Sequence, residues 1–369
     1  MNLKEILFHN IAQIDPPAFG LDLSDLSLKI AFLKKHKKEI KLESFGRKEI
    51  PAGIIKEGEI QKKDELVKII RETIEKEIRG KKLKTKYVVC SLPEQHAFVQ
   101  VIQLPKMGIV EAGEAIKWEA EANIPMSIDE VYIDWQIVKP ILNHLDHLDV
   151  LINAVPKNLV NDYVEVLEKS GLCPLALEIE SLATARSLIK EQISYKPLLI
   201  VDLGATRTSF IIFSGHAVRF TTSISISNRQ MIDTIAENLK ISKEDAWRFK
   251  IKVGLGDNKK DDRVFKVLLP ILNGLIQEIE KYLLFHKEHA APHEHGSAGE
   301  ISKIILCGGG ANLRGLPNFL SERLGVPSFC GNPWINILKP PIKEVPSLPY
   351  KESLTYTTTL GLALRGMQK

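Results

Sequence analysis

Two spacings of apolar residues alternate along the chain. One recurs at every second position, as in a half-buried strand; the other at every third or fourth, as in a helix with one apolar face. Gly20–Leu23 and Leu28–Leu33 read as strands flanking a turn, and residues 40–51 as a third strand. Between Asp64 and Ile78, the residues Leu66, Ile69, Ile70, Ile74 and Ile78 share one helical face. Lys86–Leu92 is a strand ending at Pro93. His96–Leu104 alternates as a strand, and Val110–Asn123 is an amphipathic helix carrying Trp118. Val131–Val138 and Asp149–Val155 are strands again. Strand, helix, strand, strand describes a small α+β unit inserted into a larger α/β one.

After Pro156 the order becomes regular. A helix over Asn158–Lys169 is closed by Gly171, a strand follows at Leu175–Ile179 and a helix at Ser181–Lys190. Strands at 199–203, 208–213 and 217–224 and a helix at 229–239 then repeat the opening pattern, which implies an internal duplication. Helices are predicted at Ile241–Lys250, Val264–His289 and Leu316–Leu324, with a strand at Lys303–Leu306. The Pro-rich stretch from Pro333 to Pro349 leads to a last helix over Thr355–Gln368. Residues 1–18 predict a short helix ended by Pro16-Pro17. The expected division is an N-terminal segment (1–18) and a first domain from 19–94, 156–200 and 333–369. The inserted unit is 95–155 and the second domain 201–332.

Composition narrows the class. Hydrophobic residues at 44% and charged residues at 26% are ordinary for a globular protein. A net charge of +4 gives no reason to expect a nucleic-acid partner. Cys90, Cys173, Cys307 and Cys330 lack paired spacing and are expected to be free thiols in a reducing compartment. No secretory signal is expected at the start, and no apolar run approaches the roughly 20 residues that span a bilayer. The lysines at 34, 35, 37 and 38 suit an anionic partner or, more simply, a solvated hairpin tip. His286, His289, His293 and His295, like His144 and His147, have no nearby cysteine and are read as solvated rather than zinc-binding.

Three glycine-bearing stretches carry the chemistry. Phe19–Lys29 and Val201–Ser209 each run from an apolar strand ending in Asp, through a turn of small or hydroxyl residues, into a returning strand. Such a turn points backbone N–H groups and hydroxyls at a phosphate chain. Asp22 and Asp202 are the candidate ligands of a hydrated Mg²⁺. Ser24, Ser27, Gly204, Thr206 and Thr208 are candidate phosphate contacts, with Lys29 as counter-charge; each aspartate taken alone also reads as a turn cap. The third stretch, Ile304–Leu316, is a buried strand running into Gly308-Gly309-Gly310 and then Asn312. Glycines there let the backbone approach a purine and its ribose. Glu180, where a strand enters a helix, reads by position as a helix N-terminal carboxylate favoured by the helix dipole.

The order Asp-hairpin, Asp-hairpin, strand-Gly-Gly-Gly resembles the actin-like ATPase superfamily. That resemblance implies an α/β fold of duplicated actin-like (ribonuclease H-like) domains with ATP and Mg²⁺ between them, and implies for Glu180, as the alternative to a helix N-terminal carboxylate, the orienting of an attacking water. Within it the chain resembles the PilM family of type IV pilus assembly over nearly its whole length. The matching stretches include Leu104-Pro105-Lys106-Met107, Lys117-Trp118-Glu119-Ala120, Asp134-Trp135-Gln136, Val155-Pro156-Lys157, Gly331-Asn332-Pro333 and Leu360–Arg365. The insert resembles the 1C subdomain shared with the cell-division protein FtsA, set into subdomain 1A. The resemblance implies a cytoplasmic ATP-binding adaptor, peripheral at the inner membrane. It would hold the N-terminal peptide of the membrane protein PilN between 1A and 1C and self-associate in a ring or filament, without inserting into the membrane. Ser24 and Ser225-Ile226-Ser227-Asn228 stand where the family usually has glycine, so hydrolysis is expected to be weak or absent. An FtsA-type filament former is one alternative, though its C-terminal amphipathic helix is not expected here. A sugar- or acetate-kinase-like enzyme is another, and it would add a substrate-binding catalytic Asp that no further motif supplies.

Overall fold

The computed structural model describes residues 16–367, except 38, 141–146, 256–261, 290–298 and 343. The helix expected over residues 1–18 lies almost wholly outside the described residues, as do His144, His293 and His295. The first strands are β1 (Phe19–Ser24), β2 (Ser27–His36), β3 (Glu39–Glu49), β4 (Ile55–Lys56), β5 (Glu59–Ile60), β6 (Ile78–Gly80), β7 (Tyr87–Leu92) and β8 (Phe98–Pro105). They are followed by β9 (Val131–Ile137), β10 (His147–Pro156), β11 (Cys173–Ile179), β12 (Ser194–Leu203), β13 (Thr208–Gly215), β14 (Ala217–Ile224), β15 (Ile304–Cys307) and β16 (Ser328–Cys330). The helices are α1 (Lys63–Lys76), α2 (Ile109–Asn123), α3 (Lys157–Lys169), α4 (Glu180–Leu188), α5 (Asn228–Leu239), α6 (Lys243–Lys252), α7 (Arg263–His289), α8 (Leu316–Leu324), α9 (Tyr350–Ser353) and α10 (Thr357–Arg365).

Two sheets repeat one plan. The first is six-stranded, in the order β11-β7-β1-β2-β3-β6, and the second eight-stranded, in the order β16-β15-β12-β13-β14-β8-β10-β9. In each, an antiparallel meander (β1-β2-β3 or β12-β13-β14) carries parallel strands on its first member's free edge. The leading strands β1 and β12 are buried on both faces, which explains their near-continuous apolar runs Phe19–Leu23 and Leu198–Val201. A polar residue at the end of such a strand has little solvent to turn to, so Asp22 and Asp202 must find partners within the fold.

The inserted unit has its own small core, in which Ala112, Ile116 and Ala120 of α2 pack on Ile102, Val150 and Ile152. Its strands do not form a separate sheet. β8 meets β14 at the pair Phe220↔Gln100, so the insert prolongs the second sheet. Helix α10 is wedged between β1 and α4 by two glycines. A Cβ on Gly20 would lie 2.4 Å from the Thr359 carbonyl, and one on Gly361 would lie 1.8 Å from the Ala183 carbonyl. No helix among the described residues is long and apolar enough to cross a membrane.

Candidate functional site

The two hairpins and the glycine turn line one cleft of about 850 Å³. In the β1–β2 hairpin, Asp22 and Lys29 are directly opposed across the strands, and Lys29 Nζ bonds Asp22 Oδ2 at 2.9 Å. Ser91 Oγ at the end of β7 donates to Asp22 Oδ1 at 3.3 Å and accepts from the Leu23 amide at 3.0 Å. Both oxygens of Asp22 are therefore aimed before any ligand arrives. Ser24 Oγ bonds the Ser27 carbonyl at 3.0 Å and lies 3.1 Å from Ser27 Oγ, which closes the turn on itself.

The β12–β13 hairpin is latched to the start of α5. The Asn228 amide donates to the Gly204 carbonyl at 2.9 Å, and the Arg229 amide to the Ala205 carbonyl at 3.1 Å. Ser227 caps the helix, its Oγ accepting from the Gln230 amide at 3.2 Å. The residues that replace the expected glycines thus have structural partners of their own. Asn228 Oδ1 accepts from Lys250 Nζ, and the same ammonium reaches the Gly309 carbonyl at 3.0 Å. Lys250 ties the start of α5, its own helix α6 and the glycine turn together.

The triple glycine divides into three duties. Gly308 has φ +79°, and a Cβ there would lie 2.3 Å from Asp202 Oδ1, so this glycine makes room for the aspartate. A Cβ on Gly310 would lie 2.5 Å from Leu203 Cβ, and Gly310 does not line the cleft. Gly309 does line it, and a Cβ there would meet Asn228 Nδ2 of the side chain first, at 3.2 Å. Gly309 is the least crowded of the three, and it lines the cleft together with Gly308. Thr208 is likewise outside the cleft. It is fully buried, with Oγ1 bonded to the Ile226 carbonyl at 2.7 Å. The remaining candidates, Ser24, Ser27, Lys29, Gly204, Thr206, Asn312 and Glu180, border the cleft together with Asp22 and Asp202.

Four carboxyl groups crowd its floor. Glu180 and Asp202 keep part of their surface open to the cleft, yet burial dominates their chemistry. It pushes Asp202 up to about 6, with Lys29 opposing and Asp22 adding to the shift. Glu180 is raised well above the carboxylate range by burial, then by Asp22, Glu94 and Asp202. Glu94 is also raised by burial; its Oε2 accepts from the Ser181 amide at 3.1 Å, holding the first turn of α4. Such a floor is short of positive charge. Among the described residues no group of three metal-ligating side chains closes around an ion. Two aspartates without a closed cage fit a cation that keeps its waters and takes further oxygens from phosphate, as Mg²⁺ does, and do not fit a structural zinc.

A second, smaller cavity of about 140 Å³ lies between the inserted unit and the first sheet. Asp134 and Asn153 border it from β9 and β10, Glu178 from β11, Arg186 from α4 and Arg365 from α10. Burial alone would raise Glu178, but Arg186 and Arg365 outweigh it and hold the carboxylate below its usual range. Arg186 Nη1 reaches Glu178 Oε2 at 2.6 Å, and Arg365 Nη1 reaches Oε1 at 3.2 Å. Asn153 Oδ1 and Arg186 Nε are buried without a hydrogen-bond partner among the described residues. Helix α4 borders both cavities, with Glu180 at its start in the first and Arg186 near its end in the second.

Sequence reading missed Lys250, Glu94 and this second cavity. Lys250 left a faint signal, a lysine four residues from Ala246 on the buried face of its helix. The second cavity left no local signal, because its residues come from many elements spread along the chain.

A duplicated α/β fold with paired Asp-hairpins about one cleft defines the class, the actin-like ATPase fold. The solved MreB5 of Spiroplasma citri bound to ADP aligns with a TM-score of 0.53 at 13% identity, covering 92% of this chain and 94% of that one. The ethanolamine utilization protein EutJ from Carboxydothermus hydrogenoformans gives 0.52 at 14% identity, covering 98% and 94%. Both likenesses concern the fold alone. The chain belongs to the family of type IV pilus assembly protein PilM, whose model matches residues 20–367. The solved PilM-PilN type IV pilus biogenesis complex aligns with a TM-score of 0.77 at 26% identity, over 96% of this chain and 100% of that one. Cell division protein FtsA of Pseudomonas aeruginosa is 24% identical over 284 residues, 71% of this chain and 65% of that protein. The Borreliella burgdorferi FtsA match covers 46% of this chain and 45% of that protein. The chain therefore spans less than two thirds of either FtsA.

Proposed function

We propose that this protein is a nucleotide-binding adaptor of type IV pilus assembly. It holds Mg·ATP between its two hairpins and takes the N-terminal peptide of a PilN-type membrane protein in the second cavity. The observation that carries the reading is the convergence of Asp22 and Asp202, 180 residues apart in sequence, on one cleft already braced by Lys29 and Ser91. The peptide half of the reading is supported by the kinship with a PilM–PilN complex and by the unpartnered Asn153 Oδ1 and Arg186 Nε, which suit a peptide amide and carbonyl. Membrane association would come through that partner, placing the protein in the cytoplasm at the inner membrane. We extend the proposal to self-association in a ring, which light scattering of the peptide-bound protein would test.

Asp22 and Asp202 would hold Mg²⁺ through its waters, and the ion would supply neutralising charge for the phosphates. Lys29, Ser24, Ser27, Gly204, Thr206 and the backbone at Gly309 position the rest of the ligand. Glu180 is the residue placed to orient a water. Burial and the neighbouring carboxyls raise its pKa, which works against its acting as a proton acceptor. In calorimetric titration, Asp22→Ala and Asp202→Ala are each expected to weaken Mg·ATP binding by about tenfold or more. Unchanged affinity in both would remove the site assignment. Fluorescence anisotropy of a labelled PilN-type peptide tests the second half, and absence of saturable binding with and without Mg·ATP would end the adaptor reading.

A further inference from the structure

The wall of the large cleft contributed by α5 and α6 differs in kind from its floor. Ile232, Trp247 and Ile251 line it, against the carboxylates and Lys29 at the other end. Trp247 is 49% exposed, although a side chain of that size normally buries most of its surface in a protein with this much core. Its helix is not free to drift. Lys250, three residues on and on the same helical face, is fully buried and bonds the Gly309 carbonyl at 3.0 Å and the Asn228 side chain. That anchor fixes the helix that carries Trp247 against the glycine turn, and Trp247 and Gly309 both line the cleft.

We infer that Trp247 and the Gly309 turn form the two sides of a slot for a planar aromatic ligand group, and that a nucleobase is recognised there chiefly by stacking on the indole. The inference rests on the nucleotide reading and assigns the residue that distinguishes a nucleotide from a bare phosphate chain. An indole offers a wide π-face and a single N–H, so it reads the face of a base and little of its edge. Ile232 and Ile251 supply apolar flanks that keep water from the ring. Stacking on an aromatic side chain is lost on truncation to alanine and largely kept on exchange for another aromatic. Bare triphosphate makes none of this contact.

The test uses the full chain, with Trp247→Ala and Trp247→Phe, titrated calorimetrically with Mg·ATP and with Mg·tripolyphosphate. The side chain is half exposed, so both variants should melt within a few degrees of the parent, which a thermal scan checks. Trp247→Ala is expected to lose on the order of 10- to 100-fold in ATP affinity, with tripolyphosphate affinity unchanged. Trp247→Phe should stay within about threefold of the parent for ATP. The inference is overturned if Trp247→Ala binds ATP as the parent does, or if it loses tripolyphosphate equally, which would mark the side chain as a support of the cleft. A parent protein that binds tripolyphosphate as tightly as ATP has no base slot, and the phosphate reading survives alone. A parent that binds neither ends both.

Discussion

Lys250 is the residue whose surroundings most oppose its chemistry. Burial lowers its ammonium to about 7, and its partners are an amide oxygen and a carbonyl rather than a carboxylate. A lysine whose pKa falls on folding leaves the native state with fewer bound protons than the unfolded chain. Between about 7 and the ordinary value of 10.5, stability therefore rises with pH; below 7 the full cost of the buried charge is present. The stability of the parent minus that of Lys250→Met, from urea unfolding, should grow on going from pH 7 to pH 10. The growth should be on the order of a few kcal/mol at most. A flat difference would mean that the ammonium is better solvated than its position implies. Gly308 shows a different kind of necessity. Its left-handed φ could be met by asparagine at modest strain, but no Cβ fits beside Asp202.

At the scale of elements, the packing of α10 against α4 and β1 is the least forgiving contact. The carbonyl of Ala183 lies where a Cβ on Gly361 would stand, and it belongs to a helix backbone that cannot rotate away. Gly361→Ala should cost about 3 kcal/mol or more, beyond any gain in helix propensity, and should lower the thermal midpoint by many degrees. A neutral result would show that α4 can slide on α10. Most elements were legible as periodic apolar runs, because strands buried on both faces and helices with one apolar stripe write their burial into the sequence. The short strands β4, β5 and β6 were not, since two or three residues carry no period. Helix α7 was legible despite Pro270, its apolar stripe running on through the proline. The start of α4 was read one residue late, because Glu180 enters the helix without a side-chain cap of its own and Glu94 from another element serves instead.

At the scale of the molecule, the fold was legible because its duplication repeats a strand-Asp-turn-strand phrase, and sequence preserves phrases. The floor of the large cleft was legible for the same reason. Thr208 and Gly310 were misplaced, because a small residue in a turn looks alike whether it faces a ligand or a packing neighbour. The second cavity was illegible as a site because topology assembles it: Asp134 and Gln136 of one matching stretch and Arg365 of another border it, but no spacing in the sequence shows that they meet.

Helix α4 is only nine residues long and borders both cavities, Glu180 in the first and Leu182, Ala185 and Arg186 in the second. Thr184, between the two, bonds Thr358 at 3.0 Å, and Thr358 borders the large cleft. An element shared by two occupants can couple them, and any such coupling is reciprocal. Whatever factor Mg·ATP imposes on peptide affinity, the peptide must impose on Mg·ATP. We expect a factor of about five or more, reduced towards one by Thr184→Val while each ligand alone binds as before. Paired titrations in both orders would measure it. A factor of one in the parent protein would make the two cavities strangers, and the pilus partner could then neither sense the nucleotide nor help to retain it.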